Sequence, residues 1–347
     1  MGRVTTSESV IDAPVRFCTL ADARYYPGLV ALVNSLRLQG HDDPIRVLDL
    51  GLTAAQRATL APECEFLPVP PGRPRHPWLL EPVSCLGALA EVVVYIDADI
   101  IVARPLHELI ERARIGRVVV FPDTQPTRWF AEWSELFELS VPLRHETYVN
   151  AGFLAVSTRR SPVLLQRWAH ACELIIGRPT ARDDPTAMDS PLGLSSQDAL
   201  NALLMSEVPA VAIDLQPFGA EAHRRQLPRV KVRDVQTLEC TFEDSPTTLL
   251  HHWGEPKPWD YAARGYTVNA YSTCLRRLLA GKDVAVQINP REVPCWLRPG
   301  LRGAVAHFAV RYSVPAARWL RARFRRPRPQ PEPASAAAPV AVDTSNR

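Results

Sequence analysis

In the first half of the chain, short apolar blocks alternate with segments whose apolar positions recur every three to four residues. Val15–Leu20 predicts a strand and Asp22–Pro27 a loop. Pro27 then opens an amphipathic helix to Leu38, with Leu29, Leu32, Val33 and Leu36 on one side and Gly40 closing it. Ile45–Leu50 predicts a second strand, Thr53 caps a short helix to Leu60, and Cys64–Leu67 predicts a third strand. Pro68–Pro77 is an extended loop, and Glu81–Ala90 is helical. Val92–Ile96 is an unbroken run of apolar and aromatic residues, the pattern of a strand covered on both faces. This alternation predicts an α/β fold, a mainly parallel sheet with helices on both faces.

The pattern then loosens. Val118–Phe121 and Tyr148–Ser157 predict strands, the latter interrupted at Gly152. Trp129–Leu139 predicts a helix whose Trp129, Trp133 and Phe137 pack inward or, as a minority expectation, line a sugar site. Pro162–Ile176 is helical, and Arg178–Leu194 is a long polar loop. Ser195 or Ser196 caps a helix to Met205, Val211–Ile213 and Thr248–Trp253 are short strands, and Asn269–Ala280 is a helix. Leu301–Phe324 has helical apolar spacing filled in with arginine, and Gln330–Arg347 is rich in proline and alanine and is expected to be disordered. The expected organisation is a catalytic domain over 15–282, a basic helical C-terminal extension over 283–328 and a tail over 329–347.

Charge changes this picture in one place. The net charge is +3, but Val293–Pro331 holds nine arginines and no acid, so the remainder carries about −6. Such a tail fits attachment to an anionic membrane surface. Nucleic acid is not expected as a partner, because the basic patch is confined to the tail and no nucleic-acid motif accompanies it. The seven cysteines are scattered without a C-x-x-C pair, as expected for reduced thiols. Met1–Arg16 has no signal-peptide core, and no stretch is long enough for a membrane span. The expected location is cytoplasmic, with attachment at the inner face of the membrane as an alternative to a tail whose arginines form a plain solvated face.

The chemistry begins at Asp97-Ala98-Asp99, directly after the Val92–Ile96 run. Carboxylates one residue apart at the end of a buried strand call for a counter-charge. A divalent cation is the natural one, and the crevice at the carboxyl ends of parallel strands is where α/β folds bind ligands. Three further segments share this logic: Asn150-Ala151-Gly152, Ser195-Ser196-Gln197-Asp198 and His251 through Trp259. His251 follows an apolar strand and can serve as a third metal ligand. Gly254 allows a backbone amide to approach a phosphate, and Lys257 supplies a compact positive charge. Each residue also has a plainer reading. Asp97 and Asp99 could be strand-end solubilising groups, His251 a satisfied core histidine, and Gln197 and Asp198 helix caps. Asn150 could cap a turn, Thr19 and Tyr25 need no ligand, and His252 lies on the opposite face of its strand.

Taken in order, these segments resemble glycosyltransferase family 8, the glycogenin and lipopolysaccharide galactosyltransferase group, from about Phe17 to Trp259. Thr19-Leu20-Ala21 with Tyr25 resembles the nucleotide-contacting start, Asp97-Ala98-Asp99 the D-x-D and Asn150-Ala151-Gly152 the N-[SA]-G. Gln197-Asp198-Ala199-Leu200-Asn201 resembles Q-D-x-L-N, and His251 to Trp259 carries H-x-x-G-x-x-K-P-W in full. The resemblance implies a GT-A (Rossmann-like) fold and a retaining hexosyltransferase. It implies a UDP-sugar donor and an acceptor that is a glycan, a lipid or a small molecule. Asp97, Asp99 and His251 would hold Mn2+, with Mg2+ as the alternative ion. Thr19, Leu20, Ala21, Tyr25, Asp97, Ala98, Asn150, Gly152, Gly254 and Lys257 would contact the donor. Gln197, Asp198 and Lys257 would serve the reaction. Two positions depart from the family pattern: Ser196 stands where an acid precedes Q-D, and Glu81-Pro82 stands where a phosphate-binding lysine is usual, with Arg73 or Arg75 as substitutes. These departures keep open a non-catalytic nucleotide-sugar or glycan-binding protein. A haloacid-dehalogenase-type phosphatase also places D-x-D after an apolar strand, but it leaves the H-x-x-G-x-x-K-P-W run unexplained.

Overall fold

A computed structural model describes residues 13–73, 76–178, 188–260 and 268–307. In chain order the elements begin β1 (Ala13–Asp22), α1 (Tyr26–Leu38), β2 (Ile45–Gly51), α2 (Ala54–Leu60), β3 (Cys64–Pro68), α3 (Glu81–Cys85) and β4 (Ala90–Ile96). They continue with β5 (Ile100–Val102), α4 (His107–Arg114), β6 (Val118–Pro122), α5 (Trp133–Leu136), β7 (Val149–Ser157), α6 (Leu164–Ile175) and α7 (Ser196–Ser206). The last are β8 (Ile213–Leu215), β9 (Glu221–His223), β10 (Lys231–Asp234), β11 (Glu239–Phe242), β12 (Ser245–Pro246), β13 (Leu249–His251) and α8 (Ala270–Ala280).

Seven strands form the central sheet in the order β3-β2-β1-β4-β7-β6-β8. All run parallel except β7, which is antiparallel to both its neighbours. The fold is therefore mixed α/β with a mostly parallel sheet. Alternation along β4 divides the core: Val92, Val94 and Ile96 face one apolar cluster with residues of α1, α4 and α8. Val93 and Tyr95 face a second cluster with residues of α6 and α7. Helices thus cover both faces, as the apolar run of β4 requires.

A smaller sheet, in the order β5-β13-β9, stands at the end of β4. β13 runs antiparallel to β5, with His251 opposite Ile100, and parallel to β9, with His251 opposite His223. This pairing carries a histidine from late in the chain to the end of the D-x-D strand.

Several expectations change. The helix expected over Glu81–Ala90 is only Glu81–Cys85, because Leu86 is extended and Gly87 takes a positive φ. The helix expected over Trp129–Leu139 shrinks to Trp133–Leu136, its aromatic side turned into the core. Ala210–Ala212 is a 3-10 turn, and the strand begins at Ile213. Helix α4, strand β9 and the β10–β12 meander have no counterpart in the expected elements. Val286, Ile288, Val293 and Leu297 are buried in the same core as α1, and Asn34 bonds the backbone of Val286 in both directions. The packed unit therefore continues past residue 282. Residues 300–307 are helical, with Leu301 and Val305 exposed. The rest of the expected extension, the tail, Arg75 and residues 179–187 of the polar loop lie outside the described residues. No described helix is long and apolar enough to cross a membrane.

Candidate functional site

The end of β4 gathers the acids. Asp97 donates its backbone N–H to Gly152 O at 2.9 Å, which holds it against β7. The Tyr95 hydroxyl donates to Asp97 Oδ1 at 2.5 Å. Asp99 precedes β5, and its carbonyl accepts the His252 N–H at 3.1 Å, so the β5–β13 ladder delivers His251. His251 Nε2 lies 3.3 Å from Asp99 Oδ1 and 3.7 Å from Asp97 Oδ2. The ligand atoms of these three side chains all fall within 4.8 Å of one another.

His251 Nε2 is buried and has no hydrogen-bond partner, although it faces two carboxylates. Its other nitrogen, Nδ1, donates to Glu221 Oε1 at 2.7 Å. An imidazole held through Nδ1, with its free Nε2 aimed at two acids, is the donor set of a divalent ion. Gly152 keeps the centre open: a Cβ there would lie 2.7 Å from His251 Cε1 and 3.0 Å from Asp97 Oδ2. The residues present fit a metal.

Charge inside the site is strongly coupled. Burial pushes Asp97 up, and the neighbouring Asp99 charge adds to this. Asp99 is also buried, but the Lys257 ammonium and His251 outweigh that and hold its carboxyl well below the usual range. For His251, burial pulls the imidazolium down, yet Asp99 and Glu221 raise it to about 10.

Lys257 is 1% exposed, and its ammonium bonds Asp99 and the His252 carbonyl, the latter at 2.8 Å. Its positive charge is the present counter-charge of Asp99. The ammonium also lies 5.1 Å from the centre of the Tyr25 ring, which meets Trp259 edge-on. Tyr25 is thereby tied to the H-x-x-G-x-x-K-P-W loop. Gly254 has φ +78°, a conformation that glycine adopts without strain. Thr19, Leu20 and Ala21 stay in β1, and the buried Thr19 hydroxyl has no partner. None of the hydrogen bonds described ties those three residues to the carboxylates. Ala98 is buried, and α1 approaches it so closely that a Cβ on Gly28 would stand 2.4 Å from Ala98 O.

The Q-D-x-L-N run divides its labour. Asn201 bonds Val149 N at 2.7 Å and Val149 O at 2.8 Å, which docks α7 against β7. Asp198 is fully buried, gripped by Arg128 at 2.7 and 2.8 Å, by the Tyr148 hydroxyl at 2.7 Å and by Leu194 N. Gln197 is left to face the site: its Oε1 accepts from Asn150 Nδ2 and Ala151 N, both at 3.1 Å. Its Nε2 donates to Asp123 Oδ2 at 3.3 Å. The structure thus brings Asp97, Asp99, His251, Lys257, Asn150, Gly152 and Gln197 into one region, with Asp198 behind it. No serine side chain caps α7; Asp198 accepts the N–H of Leu194, just before the helix.

The two departures from the family pattern meet each other. The Ser196 hydroxyl donates to Glu81 Oε2 at 2.6 Å. Arg73 is paired with Glu173 of α6.

Sequence reasoning missed Glu221, Asp123, Tyr95, Arg128 and Gly28. Asp123 closes the apolar strand β6 just as Asp97 closes β4, so the same rule would have found it. Glu221-Ala222-His223 is an acid and a histidine on one side of a strand, a signal hidden by the strand's short length.

No protein-family model matches the chain, and no curated protein matches it. Solved structures are similar to it at low identity. An active-site mutant of LgtC shares 16% identity over 79% of this chain and 98% of that one, with a TM-score of 0.49. The galactosyltransferase LgtC in complex with donor and acceptor sugar analogs shares 18% identity over 71% of this chain and 90% of that one, with a TM-score of 0.43. The WbbM bifunctional glycosyltransferase shares 14% identity over 81% of this chain and 51% of that one, with a TM-score of 0.49.

Proposed function

We propose that the chain is a metal-dependent glycosyltransferase of GT-A type that moves a hexose from a UDP-sugar to a glycan, lipid or small-molecule acceptor with retention of configuration. The observation that carries this reading is the meeting of two carboxylates at the end of β4, Asp97 and Asp99, with His251 from the distant strand β13, whose buried Nε2 has no hydrogen-bond partner. The ordered motifs of the sequence supply the reaction class.

Asp97, Asp99 and His251 would hold the ion, with Mn2+ favoured over Mg2+ because the set mixes oxygen with nitrogen. When bound, the ion supplies positive charge to the diphosphate and its departure. Lys257 adds a second positive charge beside Asp99, and Gly254 offers a backbone amide without a side chain in the way. Tyr25, with Thr19, Leu20 and Ala21 at the end of β1, would meet the nucleotide. Gln197, held by Asn150 and Asp123, presents an amide at the sugar's reacting face. Asp198 acts from behind, fixing α7 through Arg128.

The purified full chain, incubated with several UDP-sugars and Mn2+, should release UDP above the rate without enzyme. Asp97→Asn, which leaves the Asp99–Lys257 pair in place, should lower that release at least about 100-fold, a loss typical for removal of a transition-state charge stabiliser. Tight UDP binding with no release would favour the non-catalytic reading that Ser196 and Glu81 keep open. Magnesium-dependent phosphatase activity surviving His251→Ala would favour the D-x-D phosphatase.

The arginine-rich segment is proposed as a surface that binds anionic membranes from the cytoplasmic side. The apolar positions Leu301 and Val305, exposed where its helix begins, support this.

A further inference from the structure

Two groups of potential metal ligands share His251: Asp97 and Asp99 on one side, Glu221 and His223 on the other. One imidazole offers one lone pair once its other nitrogen carries a proton. Nδ1 is already engaged, 2.7 Å from Glu221 Oε1. Nε2 therefore serves the Asp97–Asp99 side, and the Glu221 side is left without its third ligand.

Glu221 is built into this place. Its side chain is 0% exposed, on β9, and parallel pairing with β13 sets Glu221 beside Leu249 and His223 beside His251. His223 faces the same side and is 1% exposed. His223 Nε2 donates to Pro122 O at 3.2 Å and stands 3.7 Å from Glu221 Oε2. The next residue, Asp123, accepts from Asn150 and Gln197. Strand β9 thus braces both the metal half and the Gln197 half of the site.

We propose that Glu221 is the positioning residue of the metal centre. It fixes the His251 ring through Nδ1–H and raises the donor strength of Nε2, while His223 anchors β9 to the strand that ends at Asp123. This rests on the metal reading above. It makes the Glu221–His223 cluster a support and not a second ion site.

The test is Mn2+ titration of the full chain, followed by electron paramagnetic resonance of the free ion, in the parent, Glu221→Ala, Glu221→Gln and His223→Ala proteins. Melting curves without metal check that each variant is folded. Glu221→Ala should weaken Mn2+ binding about 10- to 100-fold, the usual cost of losing such a support. Glu221→Gln keeps an oxygen to accept from Nδ1–H and should recover most of that loss. His223→Ala should leave the stoichiometry of the parent unchanged. Unaltered affinity in Glu221→Ala overturns the proposal. A Gln variant as weak as the Ala variant does so too, because the carboxylate would then bind the ion itself, and so does a fall in ion count in His223→Ala. A parent that binds no Mn2+ sinks the metal reading itself, a separate outcome.

Discussion

At the residue scale, the site depends on small groups as much as on charged ones. Gly152→Ala would put a Cβ 2.7 Å from His251 Cε1 and 2.8 Å from Asn150 Oδ1. We expect a folded protein whose Mn2+ affinity falls about 10-fold or more, read by the same titration; parental affinity would mean that the opening at Gly152 is irrelevant. Gly28→Ala would meet Ala98 O at 2.4 Å and the Trp259 ring at 2.6 Å. Neither a backbone carbonyl in the tight turn between β4 and β5 nor a packed indole yields easily. The expected cost is about 2 kcal/mol or more, measured by denaturant unfolding. That Asp97, Asp99 and His251 would be candidates was legible in the sequence because polar residues at the ends of apolar strands stand out. Glu221 was not, because its purpose is set by the pairing of β9 with β13, and nothing local in a three-residue strand announces its partner.

At the element scale, the long strands and helices of the first half were legible because burial on one or both faces writes a period into the sequence. Trp129–Leu139 misled because aromatic residues at helical spacing also suit a coil folded into the core: the Trp133 indole donates to Pro191 O across a loop. The docking of α7 depends on a buried ion pair. Arg128→Met would leave Asp198 without its counter-charge, and carboxylates stranded in this way cost about 3–5 kcal/mol. Calorimetry should show a melting temperature lower by roughly 10 °C. An unchanged melt would mean that Asp198 is satisfied without Arg128. A second joint carries a pH dependence. His41 Nε2 accepts the Leu106 N–H at 2.9 Å between α1 and α4, which requires an unprotonated nitrogen. Burial, aided by His107 and Arg37 and opposed by Asp42, holds His41 down to about 4. The folded state binds a proton less readily than the unfolded chain, so this stability is complete above pH ~6.5 and is lost as pH falls toward about 4. Between pH 7 and 4, the parent should lose up to about 3 kcal/mol more than His41→Gln in parallel unfolding curves. Equal slopes would mean that His41 protonates freely in the fold.

At the scale of the whole molecule, the sheet order and the small β5-β13-β9 sheet convert motifs separated by more than a hundred residues into one cluster. Their order in the chain was legible, and their geometry was not. The core also takes in Val286, Ile288, Val293 and Leu297, which the expected boundary after residue 282 had assigned to the basic extension. The tail has its own test. Removing the chain from Pro299 onward should abolish sedimentation with vesicles rich in anionic lipid while UDP release persists. Equal sedimentation before and after truncation would remove the membrane surface from the account.

The central claim is a single ion held by Asp97, Asp99 and His251. Pulsed electron paramagnetic resonance of the chain loaded with one equivalent of Mn2+ addresses it directly, because a nitrogen ligand imprints its nuclear coupling on the manganese signal. The expected result is one imidazole nitrogen coupled to the ion in the parent protein and none in His251→Gln. A bound ion without nitrogen coupling, or a coupling that survives His251→Gln, would contradict the assignment.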